Sequence, residues 1–146
     1  MSGGLAKLLG LLCVVCAAGS LRAGEAEIAT LVSAEYFAVG GVGFGNTTSA
    51  GELAFQKIYA EKNNLEQFIM AYGKGGNAAR MYALVAFHRL NRPLYDHLKA
   101  AHAESEAPVG RIMGCEAFTE NLGQLIAQLE KGGFDALFPK PPAAAK

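Results

Sequence analysis

No stretch of this chain concentrates one sign of charge. Thirteen Lys and Arg balance thirteen Asp and Glu over 146 residues, for a formal net charge of zero. The basic face of a nucleic-acid binder is therefore not expected. Cysteine is scarce as well: there are three, and Cys13 and Cys16 fall in the first two dozen residues, which leaves Cys115 alone in the body of the chain. A lone thiol forms no internal disulfide, so the fold has to hold by packing. No apolar run reaches the roughly 20 residues that a membrane-spanning helix needs. The run LLGLLCVVCAA, Leu8 to Ala18, stops against Gly19, Ser20 and Arg22. Motifs that announce a chemistry are missing too. There is no G-x-S-x-G and no P-loop GK[ST], and after Gly41 and Gly43 the third glycine of a dinucleotide motif is replaced by Asn46.

What is present begins with an export signal. Lys7 followed by Leu8 to Ala18 has the charge and length of a signal-peptide leader, with Leu21-Arg22-Ala23 before Gly24 as the best-placed cleavage site and Ala17 to Ser20 as the alternative. An uncleaved anchor and a lipidated cysteine are the competing readings, though Leu12 and Val15 stand where a lipobox places a small residue. Loss of Lys7 and Arg22 would leave the mature chain slightly negative. The expected organisation is a signal peptide at 1–23, one helical domain at 24–138 and a disordered Pro/Ala tail at 139–146. Apolar content of 51% is ample for a core.

The strongest pattern lies between Asn77 and His102. On Ala78 to Leu90 only Arg80, His88 and Arg89 interrupt an apolar surface, which predicts a helix packed on several sides. Asn77 and Asn91 are good N-caps, and Pro93 suits the first turn of a second, amphipathic helix carrying Leu94, Tyr95, Leu98 and Ala101 on one face. Ser49-Ala50-Gly51-Glu52 has the form of a capping box that opens a helix through Phe55, Ile58 and Tyr59. Leu65, Phe68, Ile69 and Tyr72 predict another short helix, ended by Gly73-Lys74-Gly75-Gly76. The two helical pairs align at an offset of 27, with Phe55 on Tyr82, Ile58 on Val85 and Phe68 on Tyr95.

On those residues ARMYALVAFHRLNRPLYDHLKAA resembles a short HEAT-like repeat, with an AR..AL..L first helix, a proline turn and a second helix. The resemblance spans about residues 50–103, and it implies a concave binding or scaffold surface. The expected fold is all-α, a small bundle of stacked α-hairpins with a glycine-rich loop near the mature N-terminus.

The remaining segments read less plainly. Glu25 to Tyr36 is weakly helical and compatible with strand. Phe37 to Glu52, with four glycines from Gly40 to Gly45, reads as a loop or irregular hairpin. Asn46-Thr47-Thr48 matches a glycosylation sequon. Val109 to Phe118 is a short strand or an extended link that carries Cys115 inward, and Thr119 is expected to cap a helix bearing Leu122, Leu125, Ile126 and Leu129.

For chemistry the candidates are His88, His97, His102 and Cys115. His97 and His102 lack the i, i+4 spacing of a helical metal site, and Ile112, Met113 and Phe118 around Cys115 suggest a buried thiol rather than a nucleophile. The expectation is therefore a non-enzymatic protein with no cofactor and no metal. Its partner would be another protein or a cell-envelope component, and not nucleic acid. It would meet a membrane only through an uncleaved or lipidated leader. Tyr59, Tyr72, Arg80, Tyr82 and Arg89 are the contact candidates, being residue types enriched at hot spots. A helical module binding a small molecule or metal, and a Cys115-dependent enzyme, are the alternatives.

Overall fold

Residues 24–139 are described by a computed structural model. The leader reading and the tail from 140 onward lie outside the described residues. Six helices and four strands run α1 (Glu25–Val32), β1 (Tyr36–Val42), β2 (Thr47–Thr48), α2 (Ala50–Tyr59), α3 (Asn64–Lys74), α4 (Asn77–Leu90), α5 (Arg92–His102), β3 (Pro108–Gly114), β4 (Glu116–Asn121) and α6 (Leu122–Glu130), followed by a 3-10 turn at Asp135–Leu137. The strands form one mixed sheet in the order β2-β1-β3-β4. The all-α expectation is thus corrected: the fold is α+β, with helices packed on a sheet.

The helix predicted from Ala78 to Leu90 is α4, and it is the centre of the molecule. Every residue from Met81 to Phe87 is buried, because α1, α3, α5, α6, β1 and β3 all pack around it. A helix with apolar residues on all sides can lie only in such a place. Asn77 does not cap it. Gly76 takes the N-cap position, and the Asn77 amide instead donates 2.8 Å to the carbonyl of Pro108, tying the start of α4 to β3. Asn91 does cap α5, its side chain accepting from the Leu94 amide at 3.1 Å. On α3 the predicted residues Leu65, Phe68 and Tyr72 face the core together with Ala71, and Gly75 is buried at the C-cap, but Ile69 points outward, 49% exposed. A side chain at Gly75 would run into Ala79 and Val32, so the small residues let α1 and α4 close on α3.

The glycine-rich segment from Phe37 to Glu52, read as a loop or irregular hairpin, forms a short irregular hairpin with β2, and its first arm is strand β1. It runs parallel to β3, with Phe37 beside Arg111, and antiparallel to the two-residue β2. An irregularity between Ala38 and Val42 accommodates Gly40, whose φ of 85° only glycine adopts freely. Phe37 drives its ring into the core, edge-on to Tyr82 at 4.7 Å and to Phe134 at 5.0 Å.

Along the outer side of β1 the peptide groups of Ala38 and Gly40 have no strand partner, because β2 reaches only Gly41 and Val42. Helical side chains take over. The buried Tyr82 hydroxyl accepts from the Ala38 N–H at 3.0 Å and donates to the Ala38 carbonyl at 2.9 Å, bonding both groups of one residue as a neighbouring strand would. The carboxylate of Glu52 accepts from the Gly40 N–H at 2.9 Å. In the predicted capping box Ser49 plays its part, its oxygen accepting from the Glu52 amide at 3.1 Å. Glu52 does not reach back to the cap. Its carboxylate is spent on β1, and burial raises its pKa. One edge of the sheet is thereby sealed by two side chains.

Candidate interaction surface at the open sheet edge

The opposite edge is β4. Val109 to Phe118, read as strand or link, becomes most of a β-hairpin in which Met113 faces Glu116 across a two-residue turn of Gly114 and Cys115. Gly114 has φ 57°, the left-handed conformation that such tight turns require at their first position. Thr119 lies within the strand, and α6 begins after Asn121 instead, so the expected Thr119 cap is corrected.

The ladder fixes which backbone groups face outward. The Leu122 amide bonds the Ala107 carbonyl at 2.9 Å, so hydrogen-bonded pairs continue as Val109 with Glu120, Arg111 with Phe118 and Met113 with Glu116. The alternate residues turn away from β3. The N–H groups of Ala117, Thr119 and Asn121 and the carbonyls of Ala117 and Thr119 therefore point off the edge, and nothing among the described residues bonds to them.

Beneath this edge Arg111 holds the hairpin to the body of the protein. Only 4% exposed, it lies with its guanidinium 5.3 Å from each of the Phe37 and Phe134 rings and 5.9 Å from Phe118. It donates to Glu120 at 3.0 Å, and the other oxygen of Glu120 accepts from Gln128 at 2.7 Å. Burial lowers the Arg111 pKa and the Glu120 carboxylate opposes that, which keeps a charge in place among rings that attract it. Its Nε has no partner among the described residues. Phe118, Glu116 and Glu120 then share one face of β4.

At one end of the sheet the two turns lie side by side, the Gly43 amide donating 2.6 Å to the Gly114 carbonyl. Phe44 is fully exposed on this rim, and Met113 is 55% exposed beside it. Cys115 is exposed at the hairpin tip. The expected burial of that thiol is therefore corrected: the turn carries it away from the core that the alternation of Ile112 and Met113 suggested. At the other end of β4 a groove of about 270 Å³ is lined by Glu104, Glu106, Asn121 and Gln124.

The histidines are engaged elsewhere. The Nε2 of His102 is 2.6 Å from the Tyr72 hydroxyl, and His88 accepts from Arg92 at 2.9 Å through Nε2, an arrangement that requires the neutral ring. Burial, then the Arg92 charge, lowers the His88 pKa. His97 is exposed. Among the described residues no group of three or more His, Cys, Asp or Glu could hold a metal ion. Nearby, the enclosed Tyr95 hydroxyl lies under the Glu130 carboxylate without reaching hydrogen-bond geometry, and burial raises its pKa. Arg92 and Lys99 bridge the same carboxylate at 3.4 and 3.2 Å. This charged lattice joins α4, α5 and α6.

The five contact candidates are placed apart. Tyr82 is wholly enclosed and offers nothing to a partner. Tyr59 is half-buried against Phe55 and Phe138, Tyr72 is held by His102, and Arg80 bonds Asn77 at 3.2 Å. Arg89 is exposed, but its guanidinium lies 3.6 Å over the Phe138 ring and bonds Asp135 at 2.8 Å. Phe44, Met113 and β4 were missed by sequence reasoning. The legible signal was Gly114-Cys115 between two alternating runs, a two-residue hairpin pattern.

No protein-family model, no curated protein and no solved structure matches this chain.

Proposed function

We propose that the mature, exported chain is a non-enzymatic protein-interaction module of the cell envelope that meets its partner with the open end of its sheet. One observation carries the reading. Phe44 and Met113 are exposed on two turns joined by the Gly43–Gly114 hydrogen bond, and Phe118, 37% exposed, lies on the adjoining strand β4. Scattered apolar residues on a surface are ordinary, but a group held together on paired turns suits a protein partner. No lysine or arginine lies on either turn, so the rim lacks the positive charge that favours anionic lipid.

Photo-crosslinking in the producing cells tests this. A benzophenone side chain at Phe44 or Met113 is expected to give a discrete adduct with an envelope protein. The same probe at Ala100, exposed on α5, is expected to give none. Adducts at Ala100 alone, or at no position, would overturn the reading.

A further inference from the structure

The two sides of the sheet are treated differently. Where β2 does not cover β1, Tyr82 and Glu52 bond its outward peptide groups, whereas the outward groups of Ala117, Thr119 and Asn121 on β4 are bonded by nothing among the described residues. A bare edge is a template for another strand, and proteins commonly blunt such edges with proline, bulges or covering elements. Among the described residues β4 has no proline, bulge or covering element, and the two glutamates are its one guard against pairing with an unmatched strand. We infer that β4 accepts an extended segment of a partner protein as a fifth strand, and that this segment alternates basic, apolar, basic on the face shared with Phe118. The inference rests on the interaction-module reading above.

Charge selects the occupant. Glu116 and Glu120 flank Phe118 on one face of β4, and Glu104 and Glu106 line the groove at its far end. Of these carboxylates only Glu120 has a cation partner among the described residues, the buried Arg111. A second copy of the chain fits poorly. The antiparallel self-pairing that stacks Phe118 on its own copy sets Glu116 against Glu120 twice, and a shift to centre on Thr119 sets Phe118 against Glu120. Like charges placed directly opposite destabilise a pair, while opposite charges and apolar matches stabilise it. A strand bearing Lys or Arg opposite Glu116 and an aliphatic side chain opposite Phe118 satisfies both positions, and a second cation near Glu120 would add to the charge that Arg111 already offsets. On the other face Ala117 and Thr119 are small, so they admit most residues there.

The probe is the blocked peptide Thr-Lys-Thr-Val-Thr-Lys-Thr, added to the 15N-labelled full chain. Aligned antiparallel with valine on Phe118, its two central threonines donate to and accept from Thr119 and Ala117. Expected are saturable amide shifts centred on Ala117, Thr119 and Asn121, weakened by salt. Exchanging the peptide lysines for glutamates should weaken binding at least about threefold, and Glu116→Lys in the protein should do the same. Thr119→Pro removes an N–H that faces away from β3, so it should abolish binding while far-UV circular dichroism stays unchanged. Should that variant fail to fold, N-methylation of the two central threonines of the peptide gives the same readout on the native protein.

Three results would overturn the inference: no shift at these amides, equal binding of the glutamate peptide, or shifts that arise on concentrating the protein alone, which would make a second copy the occupant. Failure here with the Phe44 adduct intact removes the strand partner and leaves the interaction module. Loss of both removes the module.

Discussion

Replacing Tyr82 by phenylalanine removes one oxygen atom and two hydrogen bonds. Both are made to Ala38, which is 1% exposed, so neither its N–H nor its carbonyl can turn to water for compensation. Leaving a buried polar group unpaired costs about 1–3 kcal/mol, and two groups are stranded here, so the expected loss is about 3 kcal/mol after partial relaxation. The ring remains, with its edge contact to Phe37, which means cavity formation adds little. Against a total stability of about 5–15 kcal/mol this is a large fraction. Urea denaturation followed by circular dichroism should show the midpoint falling by roughly 1–2 M with an unchanged slope. Tyr72→Phe is the internal control. Its hydroxyl is half-buried and meets His102, so the loss should stay below about 1 kcal/mol. If Tyr82→Phe costs no more than Tyr72→Phe, the hydroxyl does not seal β1 and the reasoning fails.

Other substitutions bear on the same frame. A Cβ at Gly51 would stand 2.9 Å from the Tyr82 hydroxyl, so Gly51→Ala should destabilise by about 1–3 kcal/mol. In a Tyr82→Phe background its effect should shrink, because the two changes disrupt one contact; strict additivity in the double-mutant cycle would contradict this. Burial raises the pKa of Glu52 above its ordinary 4.5, so the fold favours the protonated acid. Its contribution is fully present below the unfolded value and is lost as pH rises through the folded one. Glu52→Gln should therefore flatten the stability profile above about pH 4.5, and a steeper decline would refute the assignment. Arg111→Ala should lose about 3–5 kcal/mol by stranding Glu120 and hollowing the site between the rings, whereas replacing both partners, Arg111→Met with Glu120→Leu, should be close to neutral. Equal losses in thermal unfolding would show that the charge itself holds the hairpin.

The helices were legible because their determinants are local. Ser49 and Asn91 cap where the sequence places them, and the apolar run from Met81 to Phe87 could belong only to a surrounded helix. The offset pairs Phe55 with Tyr82, Ile58 with Val85 and Phe68 with Tyr95 are all buried. The sheet was not legible, because its determinants lie far apart in sequence. Tyr36–Val42 contains two glycines and looks like a loop until β3 pairs with it from more than 70 residues away. Its outward amides are then completed by Tyr82 and Glu52, residues whose local patterns announce a core aromatic and a capping box. Thr119 followed by an apolar stripe looks like a helix start, but ladder pairing with Gly110 carries it into β4. Tyr82, chosen as a contact residue by type, shows the same limit: composition cannot tell a buried tyrosine from an exposed one.

Amide hydrogen exchange measured on both edges of the sheet at once tests the central claim most directly. If one edge is sealed by side chains and the other is open, the amides of Ala38 and Gly40 should be protected close to the global limit. Those of Ala117 and Thr119, one strand beyond β3, should exchange many times faster. Equal rates on the two edges would contradict the account.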